Sequence, residues 1–565
     1  MTLMKKWKLS AVCALLVMGV LLAACSSNSN NTPSNTEPGS TSSTQPKSTD
    51  DSQATEKPKE KQNISVTVYD RGNVPKTEGT VEENRWTKWI NENGPHNVKF
   101  VAVPRWESRE KLNVLFASSS APDVIFEVAP HIKNPIYEQK QMMPIDGLIE
   151  SSSTEYKKLL EEYPVLKKVG LKADGKLYEF ARLNEVAPIH TLLIRQDWLE
   201  KLNLKVPATT EELYEVAKAF AEQDPDDNGQ KDTYGIALSF QSGFVIDQIF
   251  QATRWVVEDG KLTRNWENFK AMSEFKKKLF EEGIVDRDYL NDNNGAKAKQ
   301  DFINGKLGIY PLQINWISFV NNELASLKKN DPNAKVVPIA YPESPAGKFN
   351  PAFTNPVQAT AFVNAQAKHP EAVMDYIDFL VKPETARTLK YGNEGEHWNL
   401  NANGCPQSAD LEKSKNEVSW SIDLQMMTSF LPDDKCGKIE VDFDPASNPI
   451  HAEGLEMYKA AQQIYLDTSK PYVEITHPEH MPQLPKDLDL ISSNLTKPID
   501  DIWVKAVVGG KGYTPEQAMK DAMDTWNKGD GKKVEDWFEN WYKNDSANAF
   551  LAKDIYDVLK QQMGK

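Results

Sequence analysis

The sequence predicts an α/β protein that is divided into two lobes. Apolar segments with the alternation of β-strands occur at residues 64–68, 98–101 and 124–126, and segments with helical spacing separate them. Strands separated by helices indicate a largely parallel sheet, and the C-terminal part is predominantly helical. About 500 residues follow the N-terminal region, which is more than one hydrophobic core usually organises. These observations predict two lobes rather than one.

The N-terminus has the features of an export signal. Three lysines within the first eight residues precede an apolar run, residues 11–24, that is too short to cross a bilayer of roughly 30 Å. Two small residues stand directly before Cys25, as in a lipobox, and this arrangement resembles that of bacterial lipoprotein precursors. The resemblance implies that residues 1–24 are a signal peptide and that Cys25 is lipidated after cleavage. An ordinary secretory signal with an incidental Cys25 is the alternative.

Residues 25–62 contain the lipidated cysteine and a predicted disordered tether. The tether is rich in Ser, Asn, Thr, Pro and Gln and has almost no apolar residues, so it cannot bury enough surface to offset the entropy of ordering. The protein is therefore expected on the extracytoplasmic face of the cell membrane, held there by its lipid anchor.

Composition limits the possible partners of the folded part. Hydrophobic residues make up 39% and charged residues 26%, and no later segment is long and apolar enough to span a membrane. The net charge of -15 argues against binding of nucleic acid, since phosphate binding needs clustered cations. Cys405 and Cys436 remain in the exported part, where they form either a disulfide or two independent thiols.

A calcium-type loop follows a predicted helix in the middle of the chain. Within this loop, residues 224–235, the stretch 224–232 fits the first half of an EF-hand loop, and the expected oxygen ligands are Asp224, Asp226, Asn228, Gln230 and Asp232. Where an EF-hand has a bidentate Glu, this chain has Gly235, so the last ligand must come from elsewhere. The loop predicts a structural calcium ion, and an acidic turn closed by its own hydrogen bonds is the alternative.

Several short motifs resemble those of the family 1 extracellular solute-binding lipoproteins of Gram-positive carbohydrate ABC importers, including the large members from Bacillus and Paenibacillus. The resemblance covers essentially the whole mature chain. Its most specific part is the block at residues 194–199 together with the calcium-type loop. The motifs lie at residues 68–72, 121–123, 174–178, 194–199, 224–235 and 391–398.

This resemblance implies a two-lobed periplasmic-binding-protein-like (type II) fold whose lobes are joined by crossing strands near Leu192, near Asn355 and after about residue 430. It places residues 63–190 and 356–430 in lobe 1, and residues 191–355 and 431–565 in lobe 2. It also implies that a monomer captures a carbohydrate, expected to be an oligosaccharide, in the cleft between the lobes and delivers it to ABC permease subunits. The identity, charge and length of the sugar stay open.

Sugars are bound by aromatic faces that stack on the rings and by polar groups that contact hydroxyls. Ligands of parallel sheets gather at the carboxyl ends of strands, where Asp70, Arg71 and Trp106 are expected. Other aromatic and acidic groups at predicted strand ends and loops complete the set of candidates. The candidate ligand-binding residues are Asp70, Arg71, Trp106, Trp255, Trp316, Glu394 and Trp398.

No catalytic residues are predicted, and three other functions remain open. A secreted glycosidase or polysaccharide lyase would need two positioned carboxylates, and no signature organises such a pair. A metalloenzyme would depend on residues 477–480, His-Pro-Glu-His, but the prolines there favour a loop over the helix that such zinc motifs need. A sugar sensor or wall-tethered adhesin would share the fold and the tether.

Overall fold

The computed structural model describes residues 60–401, 404–427 and 443–564. Residues 1–59, with the predicted signal peptide, Cys25 and most of the predicted tether, lie outside the described residues, as does Cys436. Cys405 takes part in a disulfide, and its pairing with Cys436 stays a prediction that mass spectrometry of the unreduced, alkylated protein tests. Glu60–Lys565 forms a unit of its own. Among the described residues, no helix combines the length and the apolar character needed to cross a membrane.

The described strands form two larger sheets and two two-stranded sheets. The strands are β1 (Asn63–Asp70), β2 (Asn97–Pro104), β3 (Val124–Phe126), β4 (Glu179–Leu183), β5 (His190–Arg195), β6 (Tyr234–Ile236), β7 (Trp255–Glu258), β8 (Lys261–Arg264), β9 (Leu307–Gln313), β10 (Val336–Ile339), β11 (Val357–Val363), β12 (Trp398–Leu400) and β13 (Pro406–Ser408).

The helices surround these sheets and dominate the C-terminal part, as the sequence predicts. They are α1 (Arg85–Asn93), α2 (Ser108–Ala117), α3 (Pro130–Glu138), α4 (Asp146–Ser152), α5 (Glu155–Glu162), α6 (Leu166–Gly170), α7 (Gln196–Lys201), α8 (Thr210–Glu222), α9 (Gln241–Ile249), α10 (Glu267–Glu281), α11 (Ala296–Ile303), α12 (Trp316–Ser318), α13 (Ala325–Asn330), α14 (Pro370–Val381), α15 (Pro383–Tyr391), α16 (Leu411–Glu417), α17 (Pro449–Tyr465), α18 (Lys486–Val508), α19 (Pro515–Lys528), α20 (Gly531–Asp545) and α21 (Ala552–Gln562).

Lobe 1 is built on a five-stranded sheet with the order β2-β1-β3-β11-β4. β1 pairs in parallel with β2 and β3, whereas β11 runs antiparallel to β3 and β4. The residues of the Ala-Pro-Asp turn fasten this sheet, because the Asp123 carboxylate accepts hydrogen bonds from the Ser65 amide at 2.8 Å and from its hydroxyl at 2.7 Å. Because β1, β2 and β3 are parallel, their carboxyl ends lie at the same edge of the sheet.

Lobe 2 is built on a four-stranded sheet with the order β10-β5-β9-β6, in which β6 and β9 are parallel. The Arg-Gln-Asp-Trp block lies at the end of β5. Arg195 is buried, pairs with Asp197 at 2.6 Å and Asp331 at 2.7 Å, and lies over the ring of Trp198. A buried guanidinium needs such paired carboxylates, so this block stabilises the lobe 2 core.

Two neighbouring segments, one before β5 and one before β11, connect the two larger sheets. The Ile189 amide donates to the Ala352 carbonyl at 2.9 Å, and the Thr354 amide donates to the Ala187 carbonyl at 2.9 Å. These bonds hold the two crossing segments side by side between β4 and β5 and before β11. The third predicted crossing, after about residue 430, lies outside the described residues.

The C-terminal helices divide between the two lobes. Helices α18, α19 and α20 form a hydrophobic cluster with the β7–β8 hairpin of lobe 2. The last helix, α21, instead packs on lobe 1, where Phe550, Ile555 and Leu559 join the lobe 1 core. This differs from the expectation that residues 431–565 all belong to lobe 2, because the buried face of α21 matches the lobe 1 surface.

Candidate functional site

A cavity of about 800 Å³ lies within lobe 2, because its lining residues all fall in the ranges 244–290 and 474–538. Helix α9 follows β6, and its residues Phe244, Asp247 and Gln248 line the cavity. The Gln248 side chain contacts both crossing segments: its Nε2 lies 3.2 Å from His190 Nδ1, and its Oε1 accepts from the Ala352 amide at 3.3 Å. The volume is typical of a site for a small ligand.

The β7–β8 hairpin forms one wall of this cavity. Its two-residue turn has positive φ at Asp259 (49°) and Gly260 (76°), as tight hairpins require. Trp255, at the start of β7, lies with its ring 4.6 Å from that of Phe538 and 6.5 Å from that of Trp526. The hairpin thus places Trp255 in the cavity lining, where an aromatic face is available to a ligand.

Arg264, at the end of β8, lies in the same wall among three tryptophans. Its guanidinium carbon is 5.5 Å from the ring centroid of Trp255, 5.1 Å from that of Trp266 and 4.6 Å from that of Trp526. Burial, together with the nearby charge of Arg254, lowers the pKa of Arg264 to about 10. The guanidinium remains charged at neutral pH despite this desolvated position.

Residues 474–484 form a further wall of the cavity, through Glu474, Thr476 and Met481 among others. Burial raises the pKa of the Glu474 carboxyl to about 7. The Thr476 hydroxyl donates to the Phe550 carbonyl at 2.6 Å, which ties this wall to the segment before α21. The wall thus combines a weakly acidic carboxyl group with apolar surface.

The same segment contains the His-Pro-Glu-His motif, which forms a 3-10 turn at Pro478–His480 rather than a helix. Glu479 accepts hydrogen bonds from Asn355 at 2.9 Å and Gln358 at 3.0 Å, and His480 Nε2 lies 2.7 Å from the Asn355 side-chain oxygen. Burial lowers the pKa of His480 to about 3. The motif therefore connects the crossing segment to the lobe 1 sheet, and its side chains are engaged there.

The predicted lobe 1 residues lie at the strand ends, outside the cavity. The Asp70 carboxylate accepts from the Gly72 amide at 2.9 Å, and Arg71 forms a two-bond pair with Asp423, at 2.6 and 2.9 Å. Trp106, in a 3-10 turn after β2, is 81% exposed. Of these candidates, Trp106 is the one that presents a free aromatic surface.

Two other candidates, Trp316 and Trp398, are buried and are placed differently from the expectation. Trp316 is buried because it begins α12, where its ring packs on Phe319 and Tyr458. Trp398 is buried against α15, and its indole Nε1 donates to the Gly392 carbonyl at 2.9 Å. Glu394 is exposed in the turn before Trp398. Trp316 and Trp398 thus have packing roles, and of the seven candidates the cavity is lined by Trp255.

The calcium-type loop brings its predicted ligands together. The Asn228 amide nitrogen donates to Asp226 Oδ2 at 2.8 Å and to Asp232 Oδ1 at 3.0 Å. The two Asp224 oxygens accept from the amides of Asn228 at 3.2 Å and Gly229 at 3.0 Å. Four oxygen-bearing side chains therefore face one another within this turn.

The loop also leaves negative charge that its hydrogen bonds do not neutralise. Burial and the adjacent Asp224 and Asp232 raise the pKa of Asp226, whose buried Oδ1 has no hydrogen-bond partner among the described residues. The Gln230 backbone amide donates to the Asn228 side-chain oxygen at 2.7 Å. A side chain at Gly235 would place its Cβ 2.0 Å from the Ala217 carbonyl oxygen, so this position has no room for a ligand. Lys306 pairs with Asp232 at 2.6 Å, and the remaining carboxylates of this oxygen-rich cluster fit a hard cation.

A second acidic group surrounds a buried histidine in lobe 1. His397 Nδ1 accepts from the Asn393 amide at 3.0 Å, and its Nε2 lies 3.1 Å from Glu417. Glu417 also pairs with Arg85, and Glu396 pairs with Lys413 at 3.1 Å. Both histidine nitrogens and both carboxylates are therefore engaged, and this group stabilises the fold.

The sequence predictions missed Arg264 and Glu474, which line the cavity beside Trp255. A local signal existed for the first of them, because Asp259-Gly260 between two short apolar segments predicts a hairpin that would bring Trp255 opposite Arg264. No local pattern marks Glu474, since its burial results from the packing of the folded chain around it.

Comparison with curated proteins finds relatives that bind carbohydrates. The chain is 25% identical over 464 residues to the polygalacturonan/rhamnogalacturonan-binding protein YtcQ of Bacillus subtilis, covering 78% of this chain and 84% of that protein. It is 28% identical over 314 residues to the fructooligosaccharide ABC transporter substrate-binding protein FusA of Streptococcus pneumoniae, covering 51% and 56%. These are similarities of sequence along much of the chain.

Solved structures share the fold at lower identity. The alginate-binding protein AlgQ2 without calcium ion superposes with a TM-score of 0.58 at 18% identity, covering 87% of this chain and 99% of that one. An EF-hand mutant of S. pneumoniae FusA in complex with fructo-nystose gives 0.60 at 18% identity, covering 86% and 100%. The two-lobed α/β fold predicted from the sequence is thereby confirmed.

A match to a family model covers the central part of both lobes. Residues 81–387, more than half of the chain, match the model described as "Bacterial extracellular solute-binding protein". This range includes the lobe 1 sheet apart from β1, the whole lobe 2 sheet and the β7–β8 hairpin. The chain therefore belongs to the bacterial extracellular solute-binding protein family.

Proposed function

We propose that the protein is the substrate-binding subunit of a carbohydrate ABC importer, which captures an oligosaccharide and delivers it unaltered to a membrane permease. The family and the carbohydrate-binding relatives support this proposal. The single observation that carries it is the cavity of about 800 Å³, whose lining combines aromatic rings with charged and amide side chains. Such linings recognise sugars, because rings stack on aromatic faces and hydroxyls bond to polar groups.

The names of the relatives leave the charge of the ligand open. One relative is named for polygalacturonan and rhamnogalacturonan, which contain acidic sugars, and another for fructooligosaccharides, which are neutral. A test of the function must therefore include both kinds of saccharide.

Calorimetry with acidic and neutral oligosaccharides, followed by analysis of the recovered sugar, tests the proposal. We expect at least one saccharide to bind with micromolar or tighter affinity, about 8 kcal/mol, and to be recovered intact. Trp255→Ala removes a stacking surface and should weaken binding about tenfold, or about 1.4 kcal/mol. Trp89→Ala, a half-buried tryptophan on α1 outside the cavity, is the matched control and should leave affinity unchanged.

Recovery of cleaved sugar, with turnover that disappears when one carboxylate is replaced, would instead establish a glycosidase or lyase. Equal loss of affinity in Trp255→Ala and Trp89→Ala would place the binding site elsewhere. The absence of binding by every saccharide would contradict the proposed function.

We also propose a structural calcium ion in the loop of residues 224–232. Asp224, Asp226, Asn228 and Asp232 would hold it through side-chain oxygens, and Gln230 would add its carbonyl oxygen. The unpartnered Asp226 oxygen and the raised pKa of this carboxyl group support the proposal. A divalent cation would provide a partner for the oxygen and would stabilise the charged carboxylate. The FusA structure described as an EF-hand mutant adds support from a structural relative.

We further propose that Cys25 carries a lipid anchor after signal cleavage, and that residues 26–62 tether the folded part to the extracytoplasmic face of the membrane. The lipobox and the polar composition of the tether support this proposal. An anchored receptor would stay close to the permease that it supplies.

A further inference from the structure

We infer that the saccharide carries a carboxylate group and that Arg264 binds this group in the lobe 2 cavity. This inference rests on the proposed function, because it names the chemical class of the captured sugar. It starts from a cation that the fold buries without a matching anion.

The guanidinium of Arg264 has no acceptor among the described residues. Arginine carries five N–H donors, yet none of those of Arg264 donates to a described protein group, and its Nε is fully buried. The carboxylates whose charge acts on it most are Glu535 and Asp500. Glu535 already accepts from the Trp526 indole at 2.7 Å, and Asp500 lies 3.5 Å from Arg254. Both nearby anions therefore have other partners.

Burial of a guanidinium without hydrogen-bond acceptors is costly even after the protein relaxes. The faces of Trp255, Trp266 and Trp526 attract the cation and offset part of this cost, but they leave its N–H donors unbonded. The tryptophans therefore hold the guanidinium in place and restrict it, and its hydrogen-bonding capacity remains for a ligand.

The charges of the cavity lining support an anionic ligand. Lys276 pairs with Asp247 at 2.5 Å, and Arg254 is nearest to Asp500. Glu474 carries only part of its charge near neutral pH, since burial raises its pKa to about 7. Once these groups are matched, Arg264 is the cation in the described lining that has no anion of its own.

The geometry of a guanidinium favours a carboxylate as this anion. Two parallel N–H donors of arginine match the two oxygens of a carboxylate, and these charge-assisted bonds are about twice as strong as bonds to neutral hydroxyls. A sugar ring beside the carboxylate would contact the exposed face of Trp255. A uronic acid unit combines both features: its carboxylate can accept two hydrogen bonds from the guanidinium, and its ring can stack on Trp255.

Calorimetry on the full chain with matched ligands tests the inference. The probes are trimers of galacturonate, glucuronate, mannuronate and guluronate, the same trimers after their carboxyl groups are reduced to alcohols, and sulfated neutral trimers. We expect at least one uronate trimer to bind at least tenfold more tightly than its reduced form. The preference should fall as salt concentration rises, because part of it is electrostatic.

Substitution of the arginine locates the effect. Arg264→Gln should weaken binding of the uronate trimer at least tenfold and leave binding of the reduced trimer within twofold. Arg264→Lys keeps the positive charge but lacks the two parallel N–H donors of the guanidinium, and it should retain an intermediate affinity. Arg387→Gln, on α15 of lobe 1 and outside the cavity, is the control and should bind as the unchanged protein does.

Several results would overturn the inference. Reduced trimers that bind as tightly as uronate trimers, or a preference for the sulfated trimers, would exclude a carboxylate. An equal loss of both affinities in Arg264→Gln would assign this residue a purely structural role. If only neutral sugars bind, this inference fails while the proposed function stands, whereas no binding of any saccharide contradicts both. The comparison of uronate with reduced trimers decides the ligand class even if Arg264→Gln does not fold.

Discussion

Burial acts in opposite directions on the two charged groups that distinguish the cavity. It lowers the pKa of Arg264 to about 10 and raises that of Glu474 to about 7. The arginine stays charged at neutral pH, whereas the carboxyl group changes its charge within the physiological range. Glu474 therefore makes the stability of the folded protein depend on pH.

We expect Glu474→Gln to stabilise the protein at pH 8 and to have little effect at pH 4.5. A carboxyl group whose pKa is raised in the folded state contributes stability below its unfolded pKa, about 4.3, and loses that contribution as pH rises through about 7. The free energy of unfolding of the variant should exceed that of the unchanged protein by about 3 to 4 kcal/mol at pH 8. Urea unfolding at both pH values measures this difference.

Glu274→Gln, on the exposed side of α10, is the control for this experiment and should show no such change with pH. A difference of the same size at pH 4.5 and pH 8 in Glu474→Gln would mean that packing, rather than ionisation, causes the effect.

At the level of residues, the sequence could locate aromatic side chains near strand ends but not their burial. Trp255 lines the lobe 2 cavity, whereas Trp316 packs on Tyr458 from a helix distant in sequence, and Trp398 packs on Tyr391, seven residues before it. The burial of a side chain depends on how such segments pack, and a single sequence does not reveal this.

At the level of elements, local patterns predicted most of the strands and helices well. The alternation at residues 64–68 lies within β1, and Thr209 caps α8 by accepting from the Glu212 amide at 3.2 Å. The assignment of α21 to lobe 1 could not be predicted, because an amphipathic helix fits any apolar surface of suitable shape. The β7–β8 hairpin was missed although its Asp-Gly turn is a local signal.

The calcium-type loop is the element whose role can be tested most directly. A cation that binds only the folded state stabilises it by mass action, by about 2.7 kcal/mol at a concentration 100 times the Kd. Chelation should therefore lower the Tm, and added calcium should restore it. Asp226→Ala should have a Tm that responds to neither treatment, since this residue carries the unpartnered oxygen.

Asp292→Ala provides the matched control for the loop. Asp292 caps α11 by accepting from the amides of Lys297 at 3.1 Å and Ala298 at 3.0 Å, and it lies outside the calcium-type loop. Its loss should lower the Tm by the same amount with and without calcium. A Tm of the unchanged protein that ignores chelator and calcium, in metal-stripped buffer, would rule out the bound ion.

At the level of the whole molecule, the proposed lipid anchor would hold the two lobes at the membrane. Cys25→Ser should leave an unlipidated precursor and abolish metabolic labelling with palmitate, because the thiol is the site of acylation in a lipobox. Gel electrophoresis of labelled cells measures this. Cys405→Ser, in the folded part, is the control and should keep the label; persistent labelling of Cys25→Ser would show that the lipobox interpretation is wrong.

The packing of the last helix on lobe 1 determines which lobe carries a mechanical load applied to the chain ends. It also determines whether the distance between those ends changes when the lobes move. The first strand begins at Asn63 in the lobe 1 sheet, and Gln562 near the end of α21 bonds to the Val186 amide at 2.9 Å and the Asn184 carbonyl at 2.7 Å. Both ends of the described chain therefore belong to one lobe. We expect a load applied between them to pass through lobe 1, and we expect dyes attached to both ends to keep their separation during any closure of the lobes. Spectroscopic detection of closure needs one dye on lobe 2, for which the exposed turn at residues 259–260 is suited.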